Sequence, residues 1–134
     1  MNNTFTYKVY YEDTDSGGVV YYANYLKFLE RARSDMFYAN GVSQINLAKH
    51  NIFFVVRKCE IEYFSSAKLE DILHITCKIE QITKVAVLFA QEIKCENKLL
   101  ATAKVKVVSV TKSYNDFKPL SIPQDVLLIL AKNT

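Results

Sequence analysis

From Tyr11 to Tyr25 the chain gathers acids at Glu12, Asp13 and Asp15, two of its three glycines at Gly17 and Gly18, and tyrosines at Tyr11, Tyr21, Tyr22 and Tyr25. A strand that ends in carboxylates, then a flexible glycine turn, then a helix start would set a base beside backbone N–H groups that lack an intrahelical acceptor. Such groups can hold a developing oxyanion. Each residue also has a plainer reading. Asp15 is equally placed to serve as a turn or N-cap acid, Asp13 to hold the turn through side-chain hydrogen bonds, and the tyrosines to pack as core aromatics at a helix entrance. Tyr11 could pack against the sheet, and Gly17-Gly18 reads first as a permissive turn.

The elements that must position this stretch follow from periodicity. Residues 4 to 12 alternate loosely, with Phe5, Tyr7, Val9 and Tyr11 on one side, as in a strand. From Asn24 the period changes. Tyr25, Phe28, Leu29, Ala32 and Met36 recur at helical spacing, and Asn40-Gly41 supplies the stop, giving one helix of about four turns. Residues 44 to 50 add a short helical turn. Strands are then expected over 53 to 64, where Phe53, Val55, Cys59, Ile61 and Tyr63 share a face, and over 72 to 82, where Leu73, Ile75, Cys77 and Ile79 do. Residues 85 to 90 are apolar on both faces. Glu96-Asn97-Lys98 is the expected hairpin turn into a last strand, in which Lys104 and Lys106 alternate with Ala103, Val105 and Val107. Pro119 and Pro123 confine the tail to a loop and a short terminal helix over 124 to 131. The expected class is α+β, with one long helix covered by a sheet of about five strands. A ferredoxin-like or RNA-recognition fold needs a second helix among the later strands, and the stretch from Phe53 to Thr111 has no room for one.

With 134 residues, half of them hydrophobic, the chain reads as a single domain spanning 1–134. Its length suffices to bury about two thirds of the unfolded surface. The net charge of +3 is spread without a run of like sign, so it favours anionic partners only weakly. Scattered lysines without an aromatic RNA-binding signature argue against a nucleic-acid module. Val126 to Ala131 is far shorter than the roughly 20 residues a membrane span needs. The polar, acidic stretch from Met1 to Asp13 does not read as a signal sequence, so a cytoplasmic protein is expected. Cys59, Cys77 and Cys95 are widely spaced and read as reduced, half-buried small hydrophobes; neither they nor His50 and His74 form a metal-ligand pattern.

The motif Tyr11-Glu12-Asp13-Thr14-Asp15-x-x-Gly18-Val19-Val20-Tyr21-x-x-Asn24-Tyr25, continued by Leu29-Glu30-Arg31-Ala32-Arg33, resembles the hotdog-fold acyl-CoA thioesterases of the 4-hydroxybenzoyl-CoA thioesterase and YbgC type. The resemblance runs more weakly through Phe54-Val55-Val56-Arg57 and Glu62-Tyr63-Phe64 into the later strands. It implies a long central helix wrapped by a curved antiparallel sheet, with subunits that pair their sheets side by side and assemble further into tetramers. It also implies that Asp15 is the catalytic carboxylate, as base or nucleophile, and that the Tyr22 backbone N–H polarises the thioester carbonyl. Tyr11 and Tyr25 match motif tyrosines near the pocket. Gly17, Gly18 and Val20 lie where the backbone approaches the acyl group. Thr83 and Lys84 fall at the turn that meets the CoA nucleotide, and Arg57 and Lys58 are further candidates. YbgC-type members usually carry histidine where this chain has Tyr22; the 4-hydroxybenzoyl-CoA branch carries tyrosine.

Thioester hydrolysis needs an activated water or nucleophile and a stabiliser for the carbonyl oxygen, and its thiolate leaving group is already a good one. One carboxylate and one oriented N–H can then suffice, with an oxyanion donor worth about 3–4 kcal/mol. The expected function is an acyl-CoA thioesterase without metal or organic cofactor, acting at a subunit interface. The alternative is a non-catalytic module that binds acyl-CoA or acyl carrier protein. A hotdog hydratase would need a catalytic histidine opposite an acid, and no histidine precedes His50.

Overall fold

In the computed structural model, which describes residues 3–134, the helical stripe becomes one face of helix α1 (Tyr25–Ala39). The first two residues, the beginning of the polar N-terminal stretch, lie outside the described residues. Tyr25, Phe28, Leu29, Ala32 and Met36 are all buried on that face, and full burial of a Phe or Leu side chain stabilises by about 1.5–3 kcal/mol. The helix ends as expected. Gly41 takes a left-handed φ of +82°, its N–H donates to the Tyr38 carbonyl, and Val42 N–H donates to the Phe37 carbonyl at 2.8 Å. This pair of bonds satisfies carbonyls that the helix leaves open, and the buried Val42 side chain closes the motif on the core.

Around α1 run β1 (Thr4–Lys8), β2 (Phe53–Tyr63), β3 (Ile72–Ile82), β4 (Ala86–Cys95), β5 (Lys98–Ser113) and β6 (Asp116–Pro119), with α2 (Gln44–Lys49) and α3 (Gln124–Ala131) outside the main layer. All pairings are antiparallel in the order β1-β3-β4-β5-β2, and β6 pairs with the end of β5. The β4–β5 turn places Glu96 and Asn97 at φ 50° and 68°, the two positive values that a tight hairpin turn requires. The core lies between α1 and the inner sheet face, where Leu73, Ile75, Ile79, Phe89, Ile93 and Val105 are essentially inaccessible.

Three expectations need correction. The first strand stops at Lys8; Tyr11–Asp13 forms a 3-10 turn, and Tyr11 is 81% exposed instead of packing on the sheet. The sheet has a sixth strand, because β5 outruns β4 and Phe117 turns back to meet the Phe53 ring edge-on at 6.0 Å. In β2 the residues 53 to 63 do not share one face. A bulge at Arg57 shifts the register between Val56 and Lys58, so Phe53 and Val55 pack in a small cluster with Ala86, Val108 and Val110, while Phe54 and Ile61 face the main core. The cysteines also differ among themselves: Cys77 is buried, Cys95 half-buried and Cys59 exposed on β2.

Candidate active site

Residues 13 to 21 fold back on themselves as a short antiparallel ribbon. Tyr21 N–H donates to the Asp13 carbonyl at 3.0 Å, Thr14 bridges Val20, and Asp15 N–H donates to the Val19 carbonyl at 2.9 Å. At the tip, Gly18 closes the turn on the Asp15 carbonyl with a φ of +82°, a conformation that costs a residue with Cβ but not glycine. The ribbon is docked on the segment between β2 and β3, where Val20 N–H donates to the Ala67 carbonyl at 2.9 Å and Val19 bridges Lys68.

The two aspartates of this ribbon have different surroundings. Asp13 is 3% exposed; its Oδ2 accepts from Tyr10 N–H at 2.9 Å and its Oδ1 from the Asn24 side-chain amide at 2.7 Å. Both of its oxygens are committed to holding the turn. Asp15 is exposed at the tip, and only its Oδ1 is engaged, by Gly17 N–H at 2.8 Å. A carboxylate oriented by one backbone donor and otherwise open to solvent can attack a carbonyl or take a proton from water.

After the ribbon, Tyr22–Asn24 makes one 3-10 turn that runs directly into α1, so the Tyr22 N–H sits at the first position of the combined helix, where chain geometry supplies no intrahelical acceptor. The Tyr22 carbonyl accepts from the Tyr63 hydroxyl at 2.9 Å. Tyr22, Tyr25 and Tyr63, with Val20, Phe64, Ser65 and Ser66, line a cleft of about 270 Å³. Tyr25 is 2% exposed and its hydroxyl accepts from Ala67 N–H at 3.0 Å; burial raises its pKa, and the Ala67 bond partly offsets that. Burial likewise raises the Tyr63 phenol.

Of the residues singled out in the sequence, the chain brings Val20, Tyr22 and Tyr25 together on this cleft, with Asp15, Gly17 and Gly18 at the far end of the ribbon that leads into it. Tyr11 lies in the 3-10 turn before Asp13. Thr83 and Lys84 are elsewhere, in the β3–β4 turn, where the Thr83 hydroxyl accepts from Ala86 N–H at 3.0 Å and the Lys84 carbonyl from Ile122 N–H at 2.9 Å. Thr83 shares a second cleft, of about 300 Å³, with Lys58, Lys104 and Lys106 on the sheet face away from α1. Arg57 is exposed at the β2 bulge and lines neither cleft. A larger open hollow of about 820 Å³ on the outer sheet face contains nothing from the 11–25 stretch.

Sequence reasoning named no role for Tyr63, Phe64, Ser65 or Ser66, although Glu62-Tyr63-Phe64 carried part of the resemblance. Lys104 and Lys106 stand out in the sequence only by their alternation with Ala103, Val105 and Val107. Their approach to Thr83 depends on the registers that set Lys58 opposite Lys106, Lys106 opposite Leu88 and Leu88 opposite Gln81, which no local pattern encodes.

A long helix wrapped by an antiparallel sheet is the hotdog architecture. Comparison with known proteins agrees. The chain is 41% identical over 131 residues to the acyl-CoA thioester hydrolase YbgC of Escherichia coli, covering 95% of this chain and 96% of the relative. It is 40% identical over 126 residues to the acyl-CoA thioesterase YbgC of Helicobacter pylori, covering 87% and 91%. The crystal structure of a probable thioesterase from Bartonella henselae superposes with a TM-score of 0.84 at 34% identity, over 90% of this chain and 98% of that one. The model of the thioesterase-like superfamily matches residues 9–130, and the chain belongs to that family.

Proposed function

We propose that this chain is an acyl-CoA thioesterase that cleaves its substrate to a free acid and coenzyme A, with Asp15 as base or nucleophile and the Tyr22 N–H polarising the carbonyl. The observation that carries the reading is the ribbon itself: one set of backbone bonds fixes both the open carboxylate of Asp15 and the helix start that presents the N–H. If Asp15 attacks, an acyl-enzyme anhydride forms and water then releases the acid. If it acts as base, it takes the proton from the attacking water. In both cases the electron pair of the breaking C–S bond leaves with the CoA sulfur, and the reaction needs no metal or organic cofactor.

The phosphates of coenzyme A call for cations, and the candidates are Lys58, Lys104 and Lys106 beside Thr83 on the outer sheet face, where Lys58 pairs with Glu60 at 3.1 Å and Lys104 with Glu80 at 2.9 Å. Arg57 is exposed next to Lys58 on β2, and Lys84 is exposed next to Thr83 in the β3–β4 turn. Among the described residues β2 pairs only with β5, leaving its other edge open with Val56 and Tyr63 exposed, a surface that a second copy can cover by strand pairing. We infer a homodimer through β2 with the active site at the subunit interface, and a tetramer formed from it; acyl carrier protein is a further candidate donor of the acyl group. Among the described residues no helix is long and apolar enough to cross a membrane. We place the enzyme in the cytoplasm, a compartment that suits its free cysteines.

The test is free-thiol release from acetyl-, butyryl-, palmitoyl- and 4-hydroxybenzoyl-CoA by the wild type and by Asp15→Asn. Turnover of one thioester, lost about a hundredfold or more in a folded Asp15→Asn variant, supports the reading. Equal rates would make Asp15 structural. Binding of acyl-CoA without turnover would favour a non-catalytic module.

A further inference from the structure

We propose that Tyr63 is a positioning residue of the reaction: its hydroxyl, by donating to the Tyr22 carbonyl, holds the first turn of the helix so that the Tyr22 N–H is aimed at the substrate carbonyl oxygen. This rests on the thioesterase reading of the same site. The segment that carries the N–H is anchored from three directions. Val20 N–H is bonded to Ala67, Tyr21 N–H to Asp13, and the Tyr22 carbonyl to Tyr63. The first two bonds belong to the ribbon and stop at Tyr21. Past that point the chain turns into a three-residue 3-10 turn closed by Asn24 N–H on the Tyr21 carbonyl at 2.8 Å; its last residue is held by the Asn24 side-chain amide on Asp13 at 2.7 Å, and its first, Tyr22, through the Tyr63 bond. The bond from Tyr63 reaches across the cleft from the end of β2 and ties that turn to the sheet.

The Tyr63 ring has its own support. It meets the buried Tyr25 ring edge-on at 5.3 Å and the Tyr22 ring at 6.5 Å. With the ring held by those contacts and 41% of the residue exposed, the hydroxyl contributes to direction more than to burial. An oxyanion donor stabilises charge only when it points where the oxygen will be, so a small rotation of the first helical turn lowers the rate without changing how the rest of the substrate binds.

The experiment compares wild type and Tyr63→Phe in two readouts. The first is kcat and KM by thiol release, on whichever of the four thioesters above turns over fastest. The second is the infrared stretch of that thioester, labelled with ¹³C at its carbonyl and bound to Asp15→Asn, with and without Tyr63→Phe. The expected result is a kcat lower by about tenfold to a hundredfold with KM within about threefold, and a bound carbonyl stretch that moves back toward its value in free thioester. Thermal melting verifies that Tyr63→Phe remains folded, as the retained ring contacts lead us to expect. Unchanged kcat, a change confined to KM, or a bound carbonyl stretch indifferent to Tyr63 overturns the proposal while leaving the thioesterase reading intact. A wild type that releases thiol from none of the four compounds overturns the thioesterase reading, and Tyr63's role with it.

Discussion

The side-chain amide of Asn24 donates a 2.7 Å hydrogen bond to Asp13 in the protein interior, joining the turn before the ribbon to the residue that precedes α1. Because Asp13 also accepts from the part-buried Tyr10 N–H, removing its carboxylate strands one buried and one part-buried donor at once. Hydrogen bonds to a charged group contribute about 1.5–3 kcal/mol each, with neighbouring losses not additive. Asp13→Ala is therefore expected to lower the unfolding free energy by about 3 kcal/mol in urea denaturation. Asp15→Asn, exposed and still able to accept from Gly17 N–H, should stay within about 0.5 kcal/mol of wild type. Equal stability effects at the two positions would contradict the division of labour between them.

The adjacent glycines should also separate. A Cβ at Gly18 meets nothing within 4 Å but must sit at φ +82°, so Gly18→Ala is expected to cost about 1 kcal/mol of stability while leaving the Asp15 side chain undisturbed. A Cβ at Gly17 has no such conformational cost and instead lies 3.2 Å from Asp15 Oδ1. Gly17→Ala should therefore leave stability within about 0.5 kcal/mol and lower kcat by roughly tenfold, because it shifts the carboxylate. Denaturation curves and steady-state rates on both variants measure the contrast, and a Gly17→Ala enzyme with wild-type kcat would show that Asp15 accommodates the methyl group freely.

How legible these features were depended on how local their causes are. The stripe from Tyr25 to Met36 and the Asn40-Gly41 stop are set within a few residues of themselves, and both appear in the structure where the periodicity puts them. The alternation through Val9 and Tyr11 misled because an alternating pattern does not reveal whether a partner strand is present: β3 pairs with β1 only as far as Lys8. Arg57 looks like any strand residue, yet as a bulge it exchanges the faces of everything before it. Phe117 lies two residues from a proline and reads as loop, and only the overhang of β5 gives it a partner. The same holds at the site. The acid-glycine-helix order is local and legible, whereas Tyr63 reaches Tyr22 across 41 residues of sequence and the lysines near Thr83 meet through three strand registers.

Alkaline pH should weaken the fold through its tyrosines. Burial, reinforced by the hydrogen bond to Asp35 and that carboxylate's charge, holds the Tyr7 phenol well above the ordinary value of 10.0, and burial also raises Tyr25. When the folded pKa lies above the unfolded one, the unfolded chain loses protons first, so ∂ΔG/∂pH is negative in that window. The contribution is complete below pH 10.0 and disappears as pH climbs toward the raised folded values. Urea midpoints measured from about pH 8 to 11 are expected to be level at first and then fall, and Tyr7→Phe should flatten the decline. A midpoint that does not change above pH 10.0 would contradict the assignment.

The sharpest prediction concerns a backbone atom that side-chain substitution cannot remove, namely the Tyr22 N–H. Proline lacks that hydrogen, and the first position of a helix is the one place where a helix tolerates it, since its fixed φ suits the turn and no intrahelical bond is lost. The preceding residue must then be extended, and Tyr21 already is, at φ −60° and ψ 132°. Tyr22→Pro should accordingly fold with a melting temperature close to that of Tyr22→Ala, which loses the same ring contacts with Tyr21 and Tyr63 but keeps the N–H. Their rates should diverge. Removing an oxyanion donor costs about a hundredfold to a thousandfold in kcat, so Tyr22→Pro is expected to fall below Tyr22→Ala by roughly that factor, with similar KM. If the two variants hydrolyse acyl-CoA at the same rate, the carbonyl oxygen is held by some other donor, and neither the helix start nor the Tyr63 hydroxyl behind it has the role assigned to it.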